Sequence, residues 1–535
     1  MRHPLRPALF AACALAVSAH GALTNRADRL EWFRDQGFGL FIHWNVDCQL
    51  GVVISHSLVG ATDDYVRRHF EELPRTFNPR KFHPDDWAVL ARLAGVRYVV
   101  FTAKHHSGFC LWPTDTTDYN IRNTPFARDL LGETLAAFRA RNIATGLYFS
   151  PDDFWWLHQN GIPLQRGTPA VQPANNPGLM QHDLAQVREL FTRYGDIAVV
   201  FFDGEAEQLR DLAWQLQPDT VVTRGALNTP ELYLPGQAAD EPWEACFTMG
   251  RAWGYQPTRE QYKSGGQIIA MLIETRAKGG NLLLNVGPKP DGEWPIEQEE
   301  RLREVALWMF VNGEAIYGVR PWILTHEGDC WFTRRKEEDT VYVFLKNQHP
   351  WKLGAWREFT FRSLRATDQT TASVLGQNDA VLEYHPHVIP KTTWQQTADG
   401  LRVRAMRAQR LSDDRLWPNP VVLKLTHVQP ALRVARVETL RSRWQADALR
   451  LTGAVRDLGS ATAVEAGFEY RDITGMDTHE RTGAWQRTAF QPVGTPGEFS
   501  VQVPGLSRAA AYEFRAVVRH TGLDFFGAEK KAAKP

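Results

Sequence analysis

Five polar groups stand at the ends of five short apolar runs: His43, the Lys104-His105-His106 triplet, Tyr148, Asp203 and Arg224. If those runs are parallel strands of one sheet, their ends meet at one mouth, where side chains can act together. A single His after a strand is commonly structural, and Asp203-Gly204 alone reads as the start of a turn. Recurrence at five strand ends points instead to a site. Two chemistries fit. In a metal-dependent hydrolase, His43, His105, His106 and Asp203 would bind a divalent cation that activates water. In a glycoside hydrolase, a pair of carboxylates would cleave the bond while histidines and aromatics grip hydroxyls and sugar faces. The histidines favour metal. The tryptophans favour sugar, because many lie among loop glycines and prolines, as in residues 151–157, 242–243 and 251–255.

The runs that would position these groups are residues 39–44, 96–102, 143–150, 197–202, 220–223, 267–272 and 282–286. They are nearly continuous in apolar residues rather than alternating, the pattern of strands buried on both faces of a parallel sheet. Between them, residues 85–94 set Trp87, Leu90 and Leu93 on one stripe, and residues 181–194 align Leu184, Val187, Phe191 and Tyr194, as crossover helices do. The alternation predicts a (β/α)8-like barrel with one strand not visible. A doubly wound open sheet is the alternative, but no GxGxxG follows an early strand and no GxxxxGK[ST] is present.

Beyond Trp322 the texture turns to alternating strands, such as 340–345 and 357–361, which predict a β-sandwich. A third unit, with strands at 449–455, 463–470, 498–503 and 511–518, resembles a fibronectin type III module, most clearly in its 512–518 run. The expected division is a leader at 1–22, a catalytic barrel at 23–325, a β-sandwich at 326–432 and a second sandwich at 433–535.

The leader is read from Arg2 and Arg6, the apolar run 7–17 and the small residues that follow, which predict export to the periplasm or medium. No later stretch approaches the roughly 18 apolar residues of a membrane span. The 535 residues carry 61 basic and 61 acidic side chains, so the cationic surplus of a nucleic-acid binder is missing. Past the leader, Cys48, Cys110, Cys246 and Cys330 form no CxxC pair, which argues against zinc or thioredoxin-like chemistry and for free buried thiols.

Longer motifs then carry a specific resemblance. Residues 38–44 (FGLFIHW), 103–112 (AKHHSGFCLW) with Thr117-Asp118-Tyr119, Phe201-Phe202-Asp203-Gly204, Trp243-Glu244, 278–288 (KGGNLLLNVGP) and 312–322 (NGEAIYGVRPW) are similar to the alpha-L-fucosidases of glycoside hydrolase family 29, in family order. The resemblance implies an exo-acting retaining enzyme that needs no metal or organic cofactor and acts on an oligosaccharide or glycoconjugate. It implies Asp203 as nucleophile and Glu244 as acid/base, with Glu205, Glu207 and Glu241 as nearby competitors. It makes His43, His105, His106, Tyr148, Arg224 and Trp243 sugar-binding residues. On this reading Asp203 is ionised and Glu244 protonated in the resting enzyme.

Three places depart from the family pattern. Asn45 stands where Gly is common after His-Trp, Ser107 where Asp is common after His-His, and the triplet Asp63-Asp64-Tyr65 replaces an acidic-Trp-Tyr triplet. An Asp64 facing the sugar would add an acceptor, which makes alpha-L-galactosides and alpha-L-glucosides alternative substrates. An Asp64 that merely begins a helix would not. The metal-dependent hydrolase remains the reading from another class, and a non-catalytic sugar-binding protein a third.

Overall fold

The protein is described by a computed structural model over residues 23–413, 415–445, 447–475, 484–520 and 522–534. The expected leader, residues 1–22, lies outside them. The N-terminal half opens with α1 (Ala27–Gln36) and β1 (Phe38–Ile42), then α2 (Asp63–Thr76), α3 (Pro84–Leu93), β2 (Tyr98–Lys104), α4 (Leu130–Ala140) and β3 (Ala144–Phe149). It continues through α5 (Phe154–Gln159), α6 (Pro177–Arg193), β4 (Val199–Phe202), α7 (Glu207–Leu216), β5 (Val221–Val222) and β6 (Glu244–Thr248). It ends with α8 (Gly265–Ala277), β7 (Asn281–Val286) and α9 (Ile296–Asn312).

The strands form one seven-stranded sheet in the order β5-β4-β3-β2-β1-β7-β6. Every neighbouring pair is parallel. The sheet curls until β5 and β6 face each other, and an irregular segment fills the gap. Asn228 bridges Trp243 and Glu231 bridges Cys246 in parallel, with backbone N–H groups of Glu244 and Cys246 donating to the carbonyls of Asn228 and Pro230. Residues 228–231 are therefore the eighth rung, too short and too rich in Pro and Thr to read as a strand.

The interior is filled by Phe41, Tyr98, Val100, Tyr148, Val199, Phe201, Val221, Cys246 and Leu283, with Phe33 of α1 closing the lower end against Tyr98. Gly39 makes this packing possible, because a Cβ there would lie 2.3 Å from the Tyr98 ring. Outside, the helices pack on the sheet through a second apolar layer that includes Leu40, Ile42, Val99, Phe101 and Leu272. Residues on both faces of each strand are thus buried, which is why the runs are continuous in sequence.

One predicted strand is wrong. Residues 267–272 belong to α8, whose N-terminus is fixed by a capping box between Ser264 and Gln267. The helix is buried between barrel and sandwich, so its apolar run mimics a buried strand. The strand in that part of the barrel is β6.

After α9 the chain enters an antiparallel five-stranded sheet with a three-stranded sheet against it, then a three-stranded and a six-stranded sheet. One apolar cluster runs through both pairs, from Trp322 and Phe332 to Phe514 and Phe525. Cys48, Cys110, Cys246 and Cys330 are free thiols. Among the described residues no helix is long and apolar enough to cross a membrane.

Candidate active site

The C-terminal ends of the strands surround a cavity of about 370 Å³, at the small end for ligand pockets and suited to a single sugar ring. Its floor is Phe41, Phe201 and Cys246 from the barrel interior. Its walls hold six of the nine residues singled out in the sequence: His43, His105, His106, Tyr148, Asp203 and Arg224.

Asp203 follows β4, and both its oxygens are engaged. The Tyr148 hydroxyl donates to Oδ2 at 2.7 Å, and Arg224 Nη1 donates to Oδ1 at 3.0 Å. Burial alone would raise its pKa. His106, which is cationic only in the acid range where Asp203 titrates, the Arg224 guanidinium and the Tyr148 hydroxyl outweigh that and hold Asp203 at about 2. Asp203 is an ionised, oriented carboxylate.

The imidazoles are neutral for the opposite reason, since burial removes the water that would solvate a cation. It lowers His43 to about 4 and His106 to about 3, and pushes His105 well below its ordinary value. Each ring is aimed by its inner nitrogen. His43 Nδ1 donates to Asn285 Oδ1 at 2.6 Å, while Asn285 Nδ2 donates to the Trp253 carbonyl at 2.7 Å, which fixes the amide and hence the tautomer. His105 Nδ1 meets Ser55 Oγ at 2.8 Å, and His106 Nδ1 meets Ser150 Oγ at 2.6 Å.

The His pair is also anchored from behind. Lys104 is wholly buried, its ammonium 2.8 Å from Asp183 and 3.1 Å from Asp153. A charge so placed is tolerable only with its partners in position, so this ion cluster fixes the start of the His105-His106 turn.

A second carboxylate faces the cavity, and sequence reasoning missed it. Glu231, on the eighth rung, lies 2.9 Å from Arg224 Nη2. One guanidinium therefore links Glu231 and Asp203, with Nε and Nη2 also donating to Thr229. Arg224 lies 4.5 Å over the Phe201 ring, and these contacts keep it protonated. Also missed were His56, from the turn after Ser55, and Arg166, which pairs with Asp152 at 2.8 Å. Trp253, from the aromatic stretch 251–255, completes the wall with its ring 5.0 Å from His43.

Three assigned residues are elsewhere. Glu244 opens β6 and so lies beneath the floor formed by Cys246, fully buried, with Oε2 accepting from the Tyr98 hydroxyl at 2.5 Å. Burial does raise its pKa, to about 7, but a group sealed under the cavity cannot reach a glycosidic oxygen. Trp243 is buried beside it, its indole donating to the Lys278 carbonyl, and lines no part of the cavity. Asp64 lies in the first turn of α2, two-thirds exposed and paired with Arg67 at 2.8 Å. Thr62 caps that helix by accepting from the Tyr65 N–H, so Asp64 begins a helix and reads no sugar.

His105, His106 and Asp203 are the one group among the described residues with donor atoms close enough to hold a metal ion, all within 4.8 Å. The donor set suits a divalent cation poorly, because Asp203 already has a guanidinium against one oxygen and a hydroxyl on the other. An added cation would stand beside Arg224.

Comparison with known proteins gives a consistent picture. The family model described as alpha-L-fucosidase matches residues 18–314. The tissue alpha-L-fucosidase of Rattus norvegicus is 33% identical over 362 residues, 58% of this chain and 75% of that protein. A putative alpha-L-fucosidase of Caenorhabditis elegans is 29% identical over 66% of this chain and 83% of its own. Among solved structures, alpha-L-fucosidase isoenzyme 1 from Paenibacillus thiaminolyticus superposes with a TM-score of 0.61 at 28% identity, covering 74% of this chain and 98% of that one.

The burial of Glu244 has a measurable consequence. Its folded-state pKa near 7 exceeds the ordinary 4.5, so the folded protein holds this proton more tightly than the unfolded chain. The stabilisation from the bound proton is complete below pH 4.5 and is lost as pH rises to 7, by about 3 kcal/mol. Glu244→Gln keeps an acceptor for Tyr98 and never ionises. Its melting temperature relative to the parent should rise between pH 4.5 and 7, with activity retained. A variant that loses activity a hundredfold while remaining folded would return Glu244 to the chemistry.

Proposed function

This chain belongs to the alpha-L-fucosidase family of glycoside hydrolases, and we propose that it releases terminal alpha-L-fucose with retention, using Asp203 as nucleophile and Glu231 as acid and base. The observation that carries the assignment is the Arg224 guanidinium, which joins the ionised Asp203 to a second carboxyl group lining the same small cavity.

In the first step an Asp203 oxygen attacks the anomeric carbon, the bond to the leaving oxygen breaks, and Glu231 transfers its proton to that oxygen. Asp203 becomes a neutral ester as Glu231 becomes a carboxylate. The negative charge crosses from one partner of Arg224 to the other, and the guanidinium stays in place. In the second step Glu231 takes a proton from water, the water oxygen attacks the anomeric carbon, and Asp203 leaves as a carboxylate. Tyr148, His43, His105 and His106 surround the nucleophile. A neutral imidazole can donate to one sugar hydroxyl or accept from another, which suits reading a ring substituted with hydroxyls.

The apolar side of the cavity, Phe41, Phe201 and Trp253, suits the C6 methyl that distinguishes fucose from galactose. A C6 hydroxyl there would be buried without a matched partner, at a cost of about 1–3 kcal/mol. The leader and the terminal sandwich extend the proposal. The charged, apolar and small-residue order of residues 2–22 supports an exported enzyme. Paired antiparallel sheets over about 100 residues support a fibronectin type III-like terminal unit after the divisions at 325 and 432.

Two experiments test the site. Glu231→Ala should lower turnover of nitrophenyl alpha-L-fucoside by about 10²–10⁴-fold, and azide, which needs no general base, should restore it with formation of alpha-L-fucosyl azide. Rescue at Glu244→Ala and not at Glu231→Ala would overturn the assignment. In a panel of nitrophenyl alpha-L-fucoside, alpha-L-galactoside and alpha-L-glucoside, the fucoside should lead the galactoside by about tenfold or more. Equal rates would show that C6 does not rest on the aromatic side.

A further inference from the structure

The repeating pattern calls for a helix on each side of the eighth rung, and neither the short link from β5 nor the longer connection to β6 has one. The longer connection instead ties itself to the barrel at Leu232, whose N–H donates to the Cys246 carbonyl, and at Ala239, whose N–H donates to the Lys278 carbonyl. Between these ties lies Gly236, and the terminal sandwich covers it. A Cβ built on Gly236 would lie 2.5 Å from Glu529 Oε1. Gly236 is not among the positive-φ glycines, so its lack of a side chain answers to the carboxylate above it.

Glu529 is itself held from within the terminal unit. Arg515 reaches it at 3.3 Å and is gripped by Glu469 at 2.7 Å. Around this contact is a cavity of about 720 Å³ between the connection, α8 and both sandwiches, lined by Tyr233, Leu234, Trp331, Trp485 and Phe526 among others. Its indoles have cations on them already. Arg471 and Arg515 lie 4.3 and 4.5 Å over Trp485, while Lys346 lies 4.7 Å over Trp331, on which His326 also stacks. Faces covered in this way do not offer a sugar platform. They make a seam of ions and rings that holds the terminal unit against the connection.

We propose that the terminal sandwich takes the place of the helix absent from the connection between the rung and β6, and that Glu529, seated on Gly236, is a positioning residue for Glu231. The inference rests on the reading of Glu231 as the acid. Glu231 begins the connection that Gly236 belongs to, and a general acid displaced by an ångström loses most of its effect. The terminal unit, which lies outside the matched family region, is thereby part of the catalytic apparatus rather than an appendage.

The test uses the full-length enzyme and two substrates. Phenyl alpha-L-fucoside needs its leaving oxygen protonated, whereas alpha-L-fucosyl fluoride departs with little help. With rates read as kcat/KM, which reports the first step alone and not the shared hydrolysis of the fucosyl-enzyme, Glu231→Gln gives the reference pattern, a loss on the phenyl substrate that far exceeds the loss on the fluoride. Glu529→Ala and Gly236→Ala should show the same selectivity, about tenfold or more. Glu529→Gln, which keeps the cover over Gly236, should largely restore it. Arg441→Ala, in an exposed pair with Glu498 on the same unit, should change neither rate. If Glu529→Ala and Gly236→Ala lower both substrates equally or neither, while Glu231→Gln remains selective, the positioning role is refuted. If Glu231→Gln itself shows no selectivity, the acid assignment fails and this inference fails with it.

Discussion

The Arg224 guanidinium is the interaction on which the site depends. Its different terminal nitrogens contact Asp203 and Glu231, whichever of the two carries the charge, and its other hydrogen bonds go to Thr229 of the same rung and to the Cys246 sulfur. A retaining reaction moves one negative charge from nucleophile to acid/base and back. In a buried site that movement would be costly if each carboxylate needed its own counter-ion, because the idle cation would be left unpaired. A planar, permanently charged fork placed between the two serves both states without moving.

Everything around Arg224 works to keep that geometry. Phe201 lies under the guanidinium and Tyr148 fixes the far oxygen of Asp203. Lys104, buried between Asp153 and Asp183, anchors the turn that presents His105 and His106. Asn285 and Ser150 aim two of the rings. Glu231 stands on a rung without regular strand structure, held through Cys246 of β6 and through the connection beneath Glu529. The nucleophile thus has a rigid scaffold made within the barrel, and the acid has one completed by the terminal sandwich.

Much of this was legible in the sequence, for identifiable reasons. Strands buried on both faces appear as continuous apolar runs, so β1 to β5 and β7 could be read, and with them the strand-end residues His43, His105, His106, Tyr148, Asp203 and Arg224. The same cue misled at residues 267–272, because a helix buried on all sides is as apolar as a strand. Glu231 gave no such cue, since its rung pairs only through isolated bridges and follows Arg224 by seven residues of turn-like sequence. Glu244 sits in the Trp243-Glu244 motif, yet that motif marks a strand's entrance, and the entrance of a barrel strand faces away from the mouth. Trp243 shares that placement. Asp64 looked like a change in the sugar wall because a pattern read in one dimension cannot tell a helix's first turn from a pocket lining.

The central claim is that Asp203 is the carboxylate that takes the sugar. Incubation with 2-deoxy-2-fluoro-alpha-L-fucosyl fluoride, followed by proteolysis and mass spectrometry, locates the covalent adduct directly, because the fluorine at C2 slows the second step. The predicted result is one fluorofucosyl group on the peptide containing Asp203, with the modification at that side chain. An adduct on Glu231 or Glu244, or turnover through a folded Asp203→Ala variant at the parent rate, would contradict it.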